Sequence, residues 1–180
     1  MKNHALFVAS LFLFVLAGAV GAQTSDPAPT PAPAQESVWK TFFPDGLLDP
    51  EGNKVEPDVL NGKLVGLYFS AHWCPPCRMF SPMLVAFRDA HTSDFEVVFI
   101  SSDKNREAQF EYMKEVGMKW YTLEHRSEAA NALAQKYGVR SIPTLIILGP
   151  DGKTITEDGR ADVTKKPDSC LADWKAAAGR

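Results

Sequence analysis

The stretch LVGLYFSAHWCPPCRMF, residues 64–80, decides the fold. It opens with residues 64–69, an apolar run of strand length, and reaches Cys74 five residues later and Cys77 three residues after that. An amphipathic stripe then continues at helical spacing through Phe80, Met83, Leu84 and Phe87. The stretch therefore predicts a buried strand, a turn that carries two cysteines, and a helix that Pro82 should kink.

Two further apolar runs, residues 97–100 and 144–148, also lack the polar alternation of a half-exposed strand. This pattern is typical of central strands that are covered on both faces. We expect a shorter strand at 153–156 and helices at 105–116, 127–137 and 169–178. Apolar strands that alternate with helices predict an α/β sheet flanked by helices on both faces.

The chain has 180 residues and a formal net charge of -3. A chain so close to neutral lacks the basic surface of a general nucleic-acid binder, so we expect no nucleic-acid partner. Three cysteines are too few for a disulfide scaffold. Core packing must therefore hold the fold, and the cysteines need another explanation.

The amino terminus predicts export. Lys2 and His4 precede an apolar run at 5–20, and small residues follow up to Ala22, as in a secretory signal peptide. We expect residues 1–22 to be the signal peptide, with an uncleaved membrane anchor as the alternative. Residues 23–37 alternate proline with small residues and predict a semi-rigid linker. Residues 38–180 then form one domain, which we expect to be an exported monomer with no membrane span: periplasmic if bacterial, otherwise secreted or in the secretory-pathway lumen.

The position of the cysteine pair suggests redox chemistry. Cys74 falls where the strand turns into the helix, and there unpaired backbone N–H groups and the helix dipole stabilise a thiolate. Cys74 can then attack a substrate disulfide, and Cys77 can resolve the mixed disulfide. Pro75 suits the first helical turn, and with Pro76 it stiffens the loop that holds the sulfurs.

Other uses of the pair fit less well. A structural zinc site needs about four ligands and usually two such pairs, so we expect no metal. Covalent haem attachment needs histidine after the second cysteine, where Arg78 stands. A purely structural disulfide would close a very small loop and restrict little chain entropy.

A second feature lies at Ile142 and Pro143, directly before the strand at 144–148. A proline at the first position of a strand is tolerated because its missing N–H need not join the ladder. An X-Pro bond here can also be cis. A functional role requires the fold to bring Pro143 beside Cys74.

These features together resemble the thioredoxin superfamily. The segments YFSAHWCPPCR at 68–78, FEVVF at 95–99 and SIPTL at 141–145 are most similar to the tryparedoxin and nucleoredoxin group. The resemblance implies a thioredoxin fold with a central mixed β-sheet, with Pro143 cis and facing Cys74. It also implies that Ile142 and Pro143 hold the substrate backbone and that Trp73 shapes the docking surface.

The resemblance implies an enzyme that reduces protein disulfides through Cys74 and Cys77, with an unidentified thiol electron donor and no cofactor. Disulfide oxidation or isomerisation in the same compartment is the alternative reaction. A thioredoxin-like binding module whose cysteines no longer cycle is a second alternative.

Two positions depart from relatives. Many thioredoxins carry a buried aspartate where Tyr68 stands, so Tyr68 either packs in the core or tunes proton transfer. Tryparedoxins use an acidic residue two before the Ile-Pro pair to bind a cationic glutathione–spermidine reductant, and here Arg140 stands there.

We further expect His72 to be a solvent-exposed loop residue, with tuning of the thiolate as its alternative role. Cys170 should be a passive thiol, with an intermolecular disulfide as the alternative.

Overall fold

The computed structural model describes residues 37–180, so the predicted signal peptide and all of the linker but Ser37 lie outside the described part. Six helices and seven strands make up this part, with one 3-10 turn at Pro57–Leu60. In chain order they are α1 (Val38–Phe42), β1 (Leu47–Leu48), β2 (Lys54–Val55), β3 (Leu64–Ser70), α2 (Pro75–Ala90), β4 (Phe95–Ser101), α3 (Arg106–Val116), β5 (Tyr121–Thr122), α4 (Glu128–Lys136), β6 (Thr144–Leu148), β7 (Thr154–Thr156), α5 (Gly159–Lys165) and α6 (Cys170–Ala177).

All seven strands join one mixed sheet in the order β2-β1-β5-β4-β3-β6-β7. The central strand β3 pairs in parallel with β4 and antiparallel with β6. Because β3 and β4 run in parallel, their carboxyl ends meet at the same edge, with Ser70 opposite Ser101. The antiparallel β6 brings its first residue, Thr144, to that edge opposite Phe69. The cysteine turn and the Ile142–Pro143 segment therefore converge there.

Helices cover both faces of the sheet, as the sequence predicts. On β3, Leu64 and Tyr68 pack into one core, while Val65, Leu67 and Phe69 pack into the other. The first core receives side chains of α2, α3, α5 and α6, and the second receives those of α1 and α4. Since every residue of β3 is buried, an unbroken apolar run replaces polar alternation.

Local signals fix the helix ends. Asn105 and Ser127 cap α3 and α4, because their side-chain oxygens accept the N–H groups of Ala108 and Ala130. Gly117 ends α3 in the left-handed region, with φ of 74°, where a residue with a Cβ is disfavoured. The predicted ends of both helices therefore agree with the structure to within one residue.

The sequence does not reveal the shortest elements. Strands β1, β2 and β5 have two residues each, and they add the outer part of the sheet beyond β4. Helices α1 and α5, of five and seven residues, are also absent from the prediction. Such short segments cannot display a helical or strand period, so only tertiary packing determines them. Between residues 37 and 180, no helix is long and apolar enough to cross a bilayer.

Candidate active site

The two cysteines lie where β3 passes into α2. Cys74 is the residue that caps α2, and its Sγ accepts the backbone N–H of Cys77 at 3.3 Å. Pro75 and Pro76 occupy the first helical positions, where a missing N–H costs little. Cys74 and Cys77 form a disulfide with their Cα atoms 5.2 Å apart. The sequence therefore folds into a two-electron redox pair at a helix amino terminus.

The two sulfurs differ in access. Cys77 is fully buried, whereas the exposed fraction of Cys74 is 4%. Their neighbours Pro75 and Pro76 are exposed, and the Trp73 ring beside them is 65% exposed. Cys74 is therefore the less buried of the two, and the division into an attacking and a resolving cysteine remains a prediction.

The Ile142–Pro143 peptide is cis, as the resemblance implies. The carbonyl oxygen of Ile142 lies 3.8 Å from Sγ of Cys74, and the Ile142 side chain packs against the cysteine pair and Ala71. Pro143 is buried and Ser141 is exposed, so the backbone before the proline borders both the sulfur and the surface. Fold topology thus brings this segment to the attacking cysteine, while its predicted role in holding substrate remains a prediction.

Asp103 supports the turn, and sequence reasoning missed it. Its buried carboxylate accepts the backbone N–H of His72 at 2.8 Å and the hydroxyl of Ser101 at 2.8 Å. The ring of His125 contacts the Asp103 carbonyl at 2.8 Å and must donate there. A usable signal was present, because polar residues that follow neighbouring parallel strands meet at one edge of the sheet.

The tryptophan before the first cysteine is also fixed. The indole Nε1–H of Trp73 donates to the carbonyl oxygen of Ser102 at 3.1 Å. This bond holds one end of the ring while most of its surface stays in solvent. Trp73 is therefore placed to contact a partner, and its part in docking remains a prediction.

The expectation for His72 holds for its place in a loop, but the side chain is partly buried and has defined partners. Its side chain is only 31% exposed and stacks on the Tyr112 ring, with centroids 5.2 Å apart. Its Nε2 lies 2.6 Å from the Glu115 carboxylate, which Arg78 also approaches at 3.5 Å. No local pattern marks Glu115, because only the packing of α3 beside α2 brings it to this turn.

Tyr68 belongs to a buried hydroxyl network that joins β3 to α2 and α3. Its hydroxyl lies 2.7 Å from the hydroxyl of Ser81, which lies 2.6 Å from that of Tyr112. Burial raises the pKa of the Tyr68 phenol above its ordinary value. Tyr68 therefore carries a proton at neutral pH and has a hydrogen-bonded hydroxyl, as the packing interpretation requires.

Cys170 lies apart from the redox pair. It opens α6, is 1% exposed and joins the core that α2 and α3 share. Burial raises the pKa of its thiol to about 11. Within residues 37–180, no three or more histidine, cysteine, aspartate or glutamate side chains are placed to share a metal ion.

Comparisons with known proteins agree with this geometry. The family described as thioredoxin-like matches residues 61–154. Mouse nucleoredoxin is 36% identical over 153 residues, which is 83% of this chain and 35% of that protein. The chain thus spans about a third of the length of this curated relative.

Solved structures cover the domain more fully. Thioredoxin from Wuchereria bancrofti is 43% identical, with a TM-score of 0.62 over 73% of this chain and 94% of its own. Tryparedoxin II from C. fasciculata is 36% identical, with a TM-score of 0.67 over 73% of this chain and 89% of its own. A tryparedoxin II structure is also known as a complex with glutathionylspermidine. The fold, the disulfide at the start of α2, and these similarities show that the chain belongs to the thioredoxin-like family, in the group of nucleoredoxins and tryparedoxins.

Proposed function

We propose that this protein is a thiol–disulfide oxidoreductase that reduces protein disulfides, with Cys74 as nucleophile and Cys77 as resolving cysteine. One observation carries the proposal. Sγ of Cys74 lies at the amino terminus of α2 and 3.8 Å from the Ile142 carbonyl oxygen, and it is disulfide-bonded to the more deeply buried Cys77.

The reaction begins with both cysteines reduced. The Cys74 thiolate attacks one sulfur of a substrate disulfide, forms a mixed disulfide and releases the other substrate sulfur as a thiolate, which takes a proton from water. Cys77 loses its proton to water, and its thiolate attacks Sγ of Cys74. This step releases the second substrate thiol and leaves the Cys74–Cys77 disulfide, so that two electrons pass to the substrate.

The surroundings of Cys74 supply the binding surface. Ile142 and Pro143 offer backbone beside the sulfur, and Trp73 offers an exposed ring. An extended substrate segment that pairs with the backbone before Pro143 would bring its disulfide in line with Sγ. Pro75 and Pro76 keep the turn rigid, and Tyr68 acts through the packing of α2. No resident cofactor is needed, because the cysteines themselves carry the electrons.

We also propose that the protein works after export, as a monomer. The support for export is the signal-like pattern of residues 1–22, which the proline-rich pattern of residues 23–37 follows. Disulfides persist in oxidising compartments, so protein disulfides would be available there as substrates. The site would be the periplasm in a bacterium and otherwise the secretory pathway or the exterior.

A thiol donor must recharge the oxidised pair. Tryparedoxin II is known in complex with glutathionylspermidine, whose spermidine portion is cationic. Arg140, which precedes the Ile142–Pro143 segment, would repel such a donor. We therefore propose a neutral or anionic thiol donor for this protein.

Trapping of the mixed disulfide tests the proposal. Cys77→Ser, incubated in its reduced form with native insulin, whose disulfides are intact, should accumulate a covalent adduct that dithiothreitol reverses. Cys74→Ser should form none under the same conditions. Cys170→Ser serves as the matched control and should turn over without accumulating an adduct. Equal adduct formation by the Cys74 and Cys77 variants would refute the assignment of roles.

A further inference from the structure

One carboxylate on α3 contacts both flanks of the cysteine pair. Glu115, in the last turn of α3, lies 2.6 Å from Nε2 of His72, two residues before Cys74. The same carboxylate lies 3.5 Å from Nη2 of Arg78, the residue after Cys77. The two flanks of the redox turn are therefore joined through a group of another helix.

These contacts are too exposed to be explained by stability alone. The side-chain exposures are 31% for His72, 57% for Arg78 and 50% for Glu115. Ion pairs at such exposures stabilise a fold very little, because solvent screens them and both side chains lose conformational freedom. Because these contacts lie beside the redox-active cysteines, they affect the charge around the sulfurs.

The charge beside the cysteines depends on His72, Arg78 and Glu115 together. Arg78 is cationic at all relevant pH values, and His72 adds positive charge when it is protonated. Glu115 offsets both. The other charged groups near His72 and Trp73 are Asp103, Lys104 and Glu111, and the Asp103 carboxylate is already engaged by the turn. Glu115 is thus the anion in direct contact with both Arg78 and His72.

We propose that Glu115 is a positioning residue for the redox pair and sets its reduction potential, by tying both flanks of the turn to α3 and by offsetting the positive charge of Arg78. This inference rests on the proposed thiol–disulfide exchange at Cys74 and Cys77. Positive charge near Cys74 favours the thiolate of the reduced protein, and a more stable reduced form makes the pair a stronger oxidant. By opposing that charge, Glu115 keeps the pair reducing.

Opposite shifts from the two partners distinguish this role from a structural one. Glu115→Gln leaves Arg78 unopposed and should stabilise the dithiol. Arg78→Gln removes the cation that opposes the Glu115 carboxylate and should stabilise the disulfide. If the contacts served only to hold the turn, the loss of either partner would disturb the pair in the same direction.

The measurement is the equilibrium of the full chain with reduced and oxidised glutathione at pH 7. Dithiol protein and oxidised glutathione exchange to give disulfide protein and two molecules of reduced glutathione. Glu115→Gln should lower this equilibrium constant by roughly threefold, which equals about 14 mV toward a more oxidising potential for a two-electron couple. Arg78→Gln should raise the constant by a similar factor.

Two controls sharpen the experiment. Asp151→Asn removes a carboxylate of an exposed ion pair in the turn after β6, at the opposite end of that strand from Pro143, and should leave the constant unchanged. The difference in equilibrium constant between Glu115→Gln and the wild type should also decrease in about 1 M salt, where the Debye length falls to about 3 Å. If Glu115→Gln acted by distorting the turn, the difference in equilibrium constant would persist at high salt.

The outcomes separate the two proposals. A wild-type protein that does not exchange with glutathione would overturn the proposed function. Normal exchange in the wild type, with both variants shifting the constant in one direction or not at all, would overturn the role of Glu115 alone. Opposite shifts that decrease in salt would support both.

Discussion

Sγ of Cys74 lies 3.8 Å from the carbonyl oxygen of Ile142, although 68 residues separate them in the sequence. Strand β6 creates this contact by pairing antiparallel with β3, which places its start beside the turn where β3 ends. A substrate backbone aligned along residues 141–143 would therefore present its disulfide to Sγ of Cys74. The contact is the geometric basis of the proposed reductase activity.

The reduction potential of the pair should lie near the ~-270 mV of thioredoxin and far from the ~-120 mV of a strong disulfide oxidant. Prolines fill the two positions between the cysteines, so no histidine stands there to stabilise the thiolate further. The glutathione equilibrium of the wild-type protein gives the value. A potential close to that of the oxidant would support the alternative reaction, disulfide oxidation.

Arg140 should favour anionic substrates and donors. It is exposed and forms no ion pair within residues 37–180, so its charge is available near the Ile142 carbonyl. The dithiol protein should reduce oxidised glutathione, which is anionic, faster than cystamine, which is cationic. Arg140→Glu should shift that rate ratio roughly tenfold toward cystamine, because a reversed charge changes association rates at low salt.

The matched control for Arg140 is Lys54→Glu, which makes the same charge reversal on β2, the outer strand of the sheet. It should leave the ratio of the two rates unchanged. Hydroxyethyl disulfide, which is neutral, should be reduced equally well by all three proteins. An unchanged glutathione-to-cystamine ratio in Arg140→Glu would remove Arg140 from the specificity argument.

The major strands and the redox motif could be predicted from sequence because their signals are local. Residues 64–69 and 144–148 are apolar throughout, since both faces of β3 and β6 are covered, and Cys74 stands at a strand–helix boundary. Local sequence also marks Pro143 as a strand-start proline. Its place beside Cys74 needs the β3–β6 pairing, which followed from the family resemblance alone.

The supporting residues could not be predicted in the same way. The sequence alone shows no partner for His72, because Tyr112 and Glu115, which contact its ring, come from α3. Asp103 becomes meaningful only once β3 and β4 are known to end at the same edge. These contacts depend on tertiary packing between segments that are distant in sequence, and no periodic pattern encodes them.

Arg88 and Glu96 form the pair that should matter most for stability. Two hydrogen bonds of 2.8 and 2.6 Å join α2 to β4, and the side chains are 12% and 2% exposed. Arg88→Met would leave the buried Glu96 carboxylate with the Val97 N–H at 2.9 Å and Lys63 at 3.9 Å as partners, and should lower the free energy of unfolding by about 3 kcal/mol. Urea denaturation measures the loss.

Lys119→Met is the control for Arg88, because it breaks an ion pair with Asp89 in which the lysine is 72% exposed. That change should cost less than about 1 kcal/mol. A loss of similar size in both variants would show that burial does not strengthen the Arg88–Glu96 pair.

Cys170 should make the fold less stable in alkali. Its pKa is raised to about 11 by burial, whereas an unfolded thiol titrates near ~8.5. A raised folded-state pKa means that the thiol's contribution is complete below about pH 8.5 and is lost as the pH rises toward about 11. Urea unfolding at several pH values should show a steeper alkaline loss with Cys170 than with Cys170→Ala.

Both proteins in that comparison should carry Cys74→Ser and Cys77→Ser, which prevents disulfide exchange in alkali. The raised pKa of Tyr68 contributes equally to the two proteins and cancels. Parallel stability curves for the two proteins would contradict the assignment of a buried, neutral thiol at Cys170.

Insulin reduction by the dithiol form of the full chain tests the central claim most directly. The wild-type protein should precipitate the insulin B chain in the presence of dithiothreitol much faster than dithiothreitol alone, whereas Cys74→Ser should give only the dithiothreitol background. Cys170→Ser should match the wild type. Undiminished reduction by Cys74→Ser would contradict the account, because it would mean that the sulfur beside Ile142 is not the nucleophile.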